Sequence, residues 1–381
     1  MKLFNLQDSF QTRVNRRRKR QTNPYGLLLI SSGGLGDTVL FAYVVEEFLA
    51  LAKPNERVVL LCNRGSEKMG FLFSPSIEIL SIDFQRLRQN LAYRRSIMGS
   101  LFEANFRLVI HTDYLRHPDM DEALARACAA TEAIAMKPRY LTKYARRIKG
   151  NLGIYHRLFD SGPEKKDKIR RWLEFATWLS PRSPKLETLQ IPEDRIPLPS
   201  KEPTPLIVIT PYSAVKEKQF PPPLYEKILR SIPDDYTIAI TGTLLDRKRN
   251  PEFEYLIKMP RVHFEDTNFK NLASRMRAAD LVISVDTACM HLAVAVGAST
   301  LCLASAAYVG EIVPYDAAWS PAHVKFLYKN MPCAGCLGNC HLPNKNGRFP
   351  CVAELSDETI LIEVRKSLKN MPTYSDSSRQ P

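Results

Sequence analysis

The sequence is poor in acidic residues. It carries 40 Asp and Glu against 54 Lys and Arg, which gives a formal charge of +14 and a pI near 9.4. Such a charge indicates an anionic partner without identifying it, because nucleotides, nucleic acids, membranes and acidic glycans all attract a basic protein. The excess is concentrated in residues 1–24, with seven basic residues and one acid, and in residues 137–171, with twelve basic residues and three acids. We expect both segments to approach an acidic acceptor or anionic lipid headgroups; a solvated loop or helix face is the alternative.

Long apolar runs are also scarce. The basic start is followed by neither an uninterrupted apolar segment nor a small-residue cleavage site, so no signal peptide is expected. Residues 288–310 carry no charge and are long enough to span a bilayer, but they are rich in Ala, Ser, Thr and Gly, which favours a buried helix, a turn and a buried strand. With eight cysteines and no signal peptide, we expect reduced thiols and a protein in the cytoplasm or on the inner face of the cytoplasmic membrane.

Several motifs that would assign a ligand are missing. The glycine turn SSGGLGD (31–37) is not the dinucleotide fingerprint GxGxxG, nor a P-loop, since no GK[ST] follows it. No aromatic-basic RNA signature and no C2H2 spacing accompanies the positive charge. Nucleic acid is therefore not expected as a partner.

Short apolar runs alternate with helix-like stretches along the chain. The strand-like runs are GLLLIS, ERVVLLCN, SIEILSID and FRLVIHTD in the first half, and PLIVITPY, YTIAITGT, DLVISVDT and ASTLCLAS in the second. Strands that are apolar throughout are typical of parallel sheets covered on both faces. We therefore predict the α/β class, with two Rossmann-like doubly wound domains facing a cleft. Residues 179–205 hold seven prolines and predict the interdomain linker.

The glycine turn after the first strand ends in a carboxylate, Asp37. Such a turn lets backbone N–H groups and a helix N-terminus approach a ligand at the carboxyl ends of the strands. Asp37 would then stand at the cleft. The alternative is a tight turn in which Asp37 only caps the helix.

Three motifs together resemble glycosyltransferase family 9, the bacterial heptosyltransferases. They are Gly36-Asp37, Lys218-Gln219-Phe220-Pro221 and Asp286-Thr287-Ala288-Cys289-Met290-His291. Their order and spacing resemble the family from about residue 26 to residue 365. The family usually has glycine where this chain has Ala288, whose methyl group could crowd a bound phosphate.

The resemblance implies the GT-B architecture and an inverting, metal-independent glycosyltransferase. It implies a nucleotide sugar, most plausibly ADP-heptose, in the C-terminal domain and an acidic lipopolysaccharide-core-like glycolipid over the N-terminal domain. The alternatives are a catalytically inactive nucleotide-sugar-binding relative, or a protein-glycosylating heptosyltransferase with a four-cysteine metal site.

That resemblance also divides the chain. The expected parts are a basic tail (1–24), an acceptor domain (25–195), a nucleotide-sugar domain (203–355) with a Cys-rich loop (333–351), a helix (356–371) that packs back on the N-terminal domain, and a disordered tail (372–381).

Within this framework, Asp37 is the predicted base that takes the acceptor hydroxyl proton. Lys218 is predicted to stabilise the departing diphosphate, although a lysine beside three prolines could equally lie on the surface. The predicted donor-binding residues are Gly34, Gly36, Asp246, Asp286, Thr287, Ala288 and His291. For His291 the alternative is a core histidine.

Four cysteines lie close together in sequence, at Cys333, Cys336, Cys340 and Cys351. They could hold one tetrahedral zinc or an iron, with His341 as a substitute ligand; reduced thiols packing a loop are the alternative. Some related transferases of autotransporters bind iron through four cysteines with wider spacing. A metal here would be structural, and no cofactor is expected for catalysis.

Overall fold

A computed structural model describes residues 2–17, 20, 23–180 and 188–369, and the chain divides into two compact units between Lys185 and Leu186. The expected disordered tail, 372–381, and part of the expected linker, 181–187, lie outside the described residues. Each unit contains one six-stranded sheet in which every pairing is parallel. The predicted α/β class with two Rossmann-like units is confirmed.

The first unit is built on a sheet with the strand order β3-β2-β1-β4-β5-β6. Its strands are β1 (Leu27–Ser31), β2 (Val58–Asn63), β3 (Ile77–Ile82), β4 (Leu108–His111), β5 (Glu132–Met136) and β6 (Arg157–Phe159). β1 and β4 are neighbours although two strands separate them in sequence, so the order reverses at this pair. Ligands of open α/β sheets bind at such a reversal, beyond the carboxyl ends of the strands.

Helices cover the first sheet and close its core. They are α1 (Lys2–Arg17), α2 (Leu35–Ala42), α3 (Val45–Leu49), α4 (Phe84–Gln89), α5 (Leu91–Glu103), α6 (Asp121–Cys128), α7 (Ala145–Asn151) and α8 (Lys168–Leu179), with 3-10 turns at Ser66–Leu72 and Leu152–Ile154. β1 and most of β2 are fully buried, as the uniformly apolar runs require.

Most of the expected basic tail is a helix, α1, docked on α5. Asp8, the only acid of residues 1–24, receives two hydrogen bonds from Arg94, Nε to Oδ1 at 2.9 Å and Nη2 to Oδ2 at 2.6 Å. Arg94 is 1% exposed, so a buried ion pair attaches α1 to α5. Helix α1 is therefore held against the first unit.

The second unit repeats the same topology, with the order β12-β11-β10-β7-β8-β9. Its strands are β7 (Leu206–Thr210), β8 (Thr237–Thr241), β9 (Val262–Glu265), β10 (Leu281–Val285), β11 (Thr300–Leu303) and β12 (Val324–Leu327). Here the reversal lies between β7 and β10, which are hydrogen-bonded neighbours.

The helices of the second unit are α9 (Pro222–Ser231), α10 (Leu244–Arg249), α11 (Glu254–Ile257), α12 (Phe269–Ala278), α13 (Ala288–Ala295), α14 (Pro350–Ala353) and α15 (Asp357–Lys369). Short 3-10 turns lie at Glu193–Arg195, Lys216–Lys218, Pro251–Phe253 and Ala306–Tyr308. α15 is the helix that was expected to return to the N-terminal domain. Its buried Ile360 and Val364 instead join the core of the second unit, where the helix packs on α9 and β11.

Residues 288–310 form α13, a turn at Gly297, strand β11 and the turn Ala306–Tyr308, as the composition indicated. No helix among the described residues is long and apolar enough to cross a membrane.

Candidate functional site

The glycine turn connects buried strand β1 to helix α2, at the edge where β1 and β4 reverse the strand order. Gly34 is the N-cap of α2 and Asp37 is its third residue. Asp37 folds back so that its Oδ2 accepts a hydrogen bond from Gly34 N at 2.9 Å. A β-carbon at Gly33 would lie 2.5 Å from Asp37 Oδ2, so only glycine allows this arrangement. Gly36 lies inside the first turn of the helix.

Asp37 is also ion-paired. Lys168 Nζ, on the first residue of α8, donates to Asp37 Oδ1 at 2.6 Å. Both side chains are about one quarter exposed, at 26% and 24%. Lys168 also lies over the Trp172 ring, 5.1 Å from its centroid. Sequence analysis placed Lys168 only within the basic segment 137–171, because nothing in the local pattern reveals a partner 131 residues away.

In the second unit, the motif around Lys218 meets the motif around Asp286. Lys218 follows β7 and Asp286 follows β10, so both stand where the strand order reverses. Lys218 Nζ donates to the Asp286 carbonyl oxygen at 2.6 Å and lies 3.0 Å from Asp286 Oδ2. Lys218 is 7% exposed, so it is not the surface lysine that its proline-rich context allowed.

The Asp286 carboxylate is the anchor of this arrangement. Burial raises its pKa, and the charge of Lys218 opposes that rise. Ser305 Oγ donates to Asp286 Oδ2 at 2.9 Å. The Lys218 ammonium also lies 4.5 Å from the centre of the Tyr308 ring, a cation-π distance. The ammonium group is therefore held in one place before any ligand binds.

The start of helix α13 lies directly after this ion pair. Thr287 is the N-cap and makes no side-chain capping bond, and Ala288 is the first helical residue. In a helix, the first amides have no intrahelical acceptor, and they carry the positive end of the helix dipole. Ala288 has a helical backbone, which needs no glycine, so the alanine does not strain this turn.

His291 lies one turn further, and it is 4% exposed. Its Nδ1 is 2.6 Å from the Tyr315 hydroxyl, and the two rings pack at 5.7 Å between centroids. The structure thus places His291 in a buried ring pair with Tyr315, and its predicted ligand contact stays a prediction.

Asp246 lies in the first turn of α10, which follows β8. Its Oδ2 accepts hydrogen bonds from Thr243 N at 2.9 Å and Thr243 Oγ1 at 2.6 Å, so it caps the helix. Burial, and after it the Asp246 charge, raise the pKa of Cys289, the second residue of α13, to about 12. The predicted contact of Asp246 with the nucleoside stays a prediction.

The Cys-rich loop is folded into a compact group. Cys333 Sγ lies 3.9 Å from Cys340 Sγ. Burial raises the pKa of Cys333, and Cys340, Cys336 and Cys351 raise it further. Four thiolates around zinc, with bonds of about 2.3 Å, stand about 3.8 Å apart. The Cys333 and Cys340 sulfurs therefore fit two positions of a tetrahedral metal site.

Backbone hydrogen bonds attach this loop to the Lys218 site. Gly335 N and Leu337 N donate to the carbonyl oxygens of Ala306 and Ala307, at 2.9 and 2.7 Å. The same turn ends at Tyr308, whose ring lies beneath Lys218. Farther along, Phe349 N donates to Glu217 O at 3.0 Å. The loop thus supports the lysine, a relationship that sequence spacing did not reveal.

Comparison with known proteins gives a fold for the whole chain and a family match for part of it. Residues 171–339 match the model of glycosyltransferase family 9 (heptosyltransferase), which confirms the resemblance drawn from the motifs at Lys218 and Asp286; the Gly36-Asp37 motif lies outside the matched residues. A glycosyl transferase family 9 structure from Veillonella parvula has a TM-score of 0.67 at 14% identity, over 91% of this chain and 98% of that chain. E. coli heptosyltransferase WaaC with ADP-2-deoxy-2-fluoro heptose has a TM-score of 0.63 at 15% identity, over 89% and 99%.

The iron-containing dodecameric glycosyltransferase TibC from enterotoxigenic E. coli is also similar. Its TM-score is 0.53 at 12% identity, over 92% of this chain and 78% of that chain. Comparison with curated protein sequences gives no match. The fold of the chain is therefore that of these transferases.

Proposed function

From the glycosyltransferase family 9 domain at residues 171–339, we propose that this protein transfers heptose from ADP-heptose to an acidic, lipopolysaccharide-core-like glycolipid, with inversion at the anomeric carbon. One observation carries the proposal. Lys218 is buried and fixed by Asp286 at the N-terminal end of α13, at the strand reversal of the second sheet. This places a cation and helix amides together at the edge where such sheets bind nucleotides.

The donor half of the reaction follows from that arrangement. As the bond between the anomeric carbon and the diphosphate breaks, the leaving ADP gains negative charge. Lys218 and the first-turn amides of α13 are positioned before the reaction, and stabilisation by such fixed donors needs no reorganisation. Asp246 near Cys289 would contact the ribose or base. The leaving group then needs no metal for its stabilisation.

The acceptor half relies on Asp37. The acceptor oxygen attacks the anomeric carbon, forming the new glycosidic bond, and its proton passes to an Asp37 carboxylate oxygen. Attack from the face opposite the diphosphate gives inversion. Lys168 holds Asp37 Oδ1 at 2.6 Å, so an anionic group of the acceptor can exchange for this ion pair as the acceptor binds.

The basic segment 137–171 would supply the surface for an anionic acceptor or membrane. Part of its charge is used inside the unit, since Lys137 pairs with Asp160 and Arg139 pairs with Glu164. Phe10 and Tyr140 are more than two thirds exposed, which suits contact with lipid headgroups next to basic residues. We propose a cytoplasmic enzyme that works at the membrane surface.

The cysteine group would hold a structural zinc or iron. The 3.9 Å separation of Cys333 and Cys340 supports this, as does the fold shared with an iron-containing transferase. No step of the transfer involves that metal.

The test uses full-length protein with ADP-heptose and a core-type glycolipid. ADP release and the anomeric configuration of the product are measured, the latter by NMR. Asp37→Asn should abolish turnover and leave the affinity for ADP-heptose within a few-fold, because it removes the base but little volume. Asp234→Asn, a fully exposed carboxylate, is the matched control and should keep full activity.

Equal turnover of Asp37→Asn and the parent would remove Asp37 as the base. Binding of ADP-heptose without turnover in the parent protein would instead indicate the catalytically inactive relative. A panel of nucleotide sugars, compared by the rise in melting temperature that each produces, identifies the donor independently of turnover.

A further inference from the structure

A buried group of three side chains lies against the turn that carries Asp37. His111 ends strand β4, Asp113 follows it, and Asp121 begins α6. His111 Nε2 lies 3.8 Å from Asp113 Oδ2 and 3.7 Å from Asp121 Oδ2. One ligand atom from each residue lies within 4.8 Å of the other two. Among the described residues, no three sulfurs of the Cys-rich loop lie within 4.8 Å of one another.

The hydrogen bonds around this group leave it unsatisfied. His111 Nε2 is buried and has no hydrogen-bond partner, and its distances to the carboxylates are longer than hydrogen bonds. Ser32 Oγ lies 2.8 Å from Asp113 Oδ2 and 3.2 Å from Asp121 Oδ2. A hydroxyl has one proton, so it can serve only one of these oxygens. The Ser32 backbone N–H also donates to Asp113 Oδ2, at 2.6 Å, so the hydroxyl is available to Asp121 Oδ2 and the unsatisfied atom of the group is His111 Nε2.

The opposite side of the imidazole suits metal ligation. His111 Nδ1 lies 2.9 Å from the Tyr155 hydroxyl. Imidazoles that bind metals usually donate their second N–H to an oxygen, which fixes the ring and directs the lone pair at the metal.

The neighbouring cations each contact a carboxylate outside the group, although the charge of Lys168 also acts on Asp113 and that of Arg116 on Asp121. Arg116 Nε lies 3.2 Å from Glu122 Oε1, and Lys168 Nζ lies 2.6 Å from Asp37 Oδ1. Asp113 and Asp121 are 6% and 5% exposed, so water compensates little of their charge. Two buried carboxylates facing each other repel strongly unless a cation or a proton lies between them.

We propose that His111, Asp113 and Asp121 bind one divalent cation of the Mn²⁺, Fe²⁺ or Zn²⁺ class. A cation centred among the three ligand atoms would lie about 2.2–2.4 Å from each, close to the usual bonds of these metals to nitrogen and oxygen. A mixed set of one imidazole and two carboxylates suits these metals better than Ca²⁺, which takes oxygen ligands.

The cation would stabilise the glycine turn through Asp113 and Ser32. Ser32 donates to Asp113 Oδ2 through both its backbone N, at 2.6 Å, and its hydroxyl. Fixing Asp113 therefore fixes the residue that begins the turn, five residues before Asp37. The site is independent of the proposed transfer reaction, and it is separate from the Cys-rich loop in the second unit.

The test is Mn²⁺ binding to the full-length protein after removal of metals with a chelator. Mn²⁺ is the probe because it prefers nitrogen and oxygen ligands over thiolates. Free Mn²⁺ is followed by electron paramagnetic resonance. We expect one equivalent to bind, and the affinity to fall at least about tenfold in Asp121→Asn and in His111→Gln. Bound Mn²⁺ should also raise the melting temperature of the parent protein.

Two controls separate this site from others. Cys333→Ser should bind Mn²⁺ as the parent does, and so should Asp160→Asn, which changes an exposed carboxylate. The proposal would be overturned if the parent protein bound no Mn²⁺, and no Zn²⁺ other than at the cysteines. This outcome does not depend on whether the variants fold. Unchanged Mn²⁺ affinity in a folded Asp121→Asn, checked by circular dichroism, would overturn it equally; the two carboxylates would then share a proton.

Discussion

The Asp37 carboxylate lies so close above Gly33 that a β-carbon there would stand 2.5 Å from Asp37 Oδ2. We therefore expect Gly33→Ala to displace the carboxylate and to lower kcat by about 100-fold, since a shift of about 1 Å in a reacting group can cost that much. Gly99→Ala in helix α5 is the control, because a β-carbon at Gly99 meets nothing within 4 Å and the residue lies outside the site. Steady-state kinetics of both variants check this, and equal losses would show that Asp37 placement is not the cause.

Lys218 and Asp286 form a buried pair, so the two charges depend on each other. Lys218→Ala should weaken ADP-heptose binding and turnover and also lower the free energy of unfolding by about 3–5 kcal/mol, because it leaves a buried carboxylate uncompensated. Lys216→Ala, in the same turn but half exposed at 51%, should change stability by less than about 0.5 kcal/mol.

The double variant Lys218→Met with Asp286→Asn separates the two effects. It removes both charges, so stability should largely return while donor affinity stays low. Isothermal calorimetry with ADP and denaturant unfolding measure the two quantities. Donor affinity that returns together with stability would remove Lys218 from the diphosphate site.

Glu56 is predicted to make the stability of the first unit sensitive to acid. Arg107 donates to both of its oxygens, at 2.8 and 2.7 Å, and these bonds together with two backbone amides lower its pKa to about 2. A folded pKa below the unfolded value means that the stabilisation is present above about pH 4.5 and is lost as the pH falls toward 2. It amounts to roughly 2–3 kcal/mol.

Glu56→Gln should therefore lower the melting temperature at pH 7 and flatten its dependence on pH between about 4.5 and 2. The control is Glu78→Gln, since Glu78 pairs with Arg57 at the surface, where both side chains are about half exposed. Circular dichroism melts across this range decide the matter. A parallel pH profile for parent and Glu56→Gln would contradict the prediction.

The Cys-rich loop should lose its metal when its sulfurs are replaced. We expect Cys333→Ser with Cys340→Ser to bind one equivalent of zinc or iron fewer than the parent, measured by elemental analysis. Donor affinity should fall as well, because the loop supports the turn at Ala306–Tyr308 and the Glu217 backbone beside Lys218. Cys62→Ala, in buried strand β2, is the control. Equal metal content in parent and double variant would show that the loop is held by packing alone.

The sequence predicted the central strands better than the edges. All eight apolar runs are strands, because strands buried on both faces have continuous apolar sequences. Strands β6, β9 and β12 were not predicted. They lie at sheet edges and are only partly buried, so polar residues interrupt their pattern. β5 was missed because its sequence, EAIAM, follows an alanine-rich helix without a turn signal.

The residues of the candidate site that lie in the recognised motifs could be predicted from the sequence. Lys218 and Asp286 were expected to act together, and the structure brings them into contact; their roles stay predictions until variants are measured. Lys168 and the group around His111 were not foreseen, because their partners come from distant segments and nothing local marks them. One signal for Asp113 was available in the sequence. Asp113 follows strand β4 as Asp37 follows the neighbouring parallel strand β1, and carboxyl ends of parallel strands meet at one edge of a sheet.

The hydrogen bond from Phe349 N to the Glu217 carbonyl joins positions more than 130 residues apart. During synthesis, the donor lysine therefore cannot reach its final environment until nearly the whole polypeptide has left the ribosome. A fragment ending before residue 349 would contain both the Lys218 and the Asp286 motifs and still lack the hydrogen bond that attaches Glu217 to the end of the Cys-rich loop.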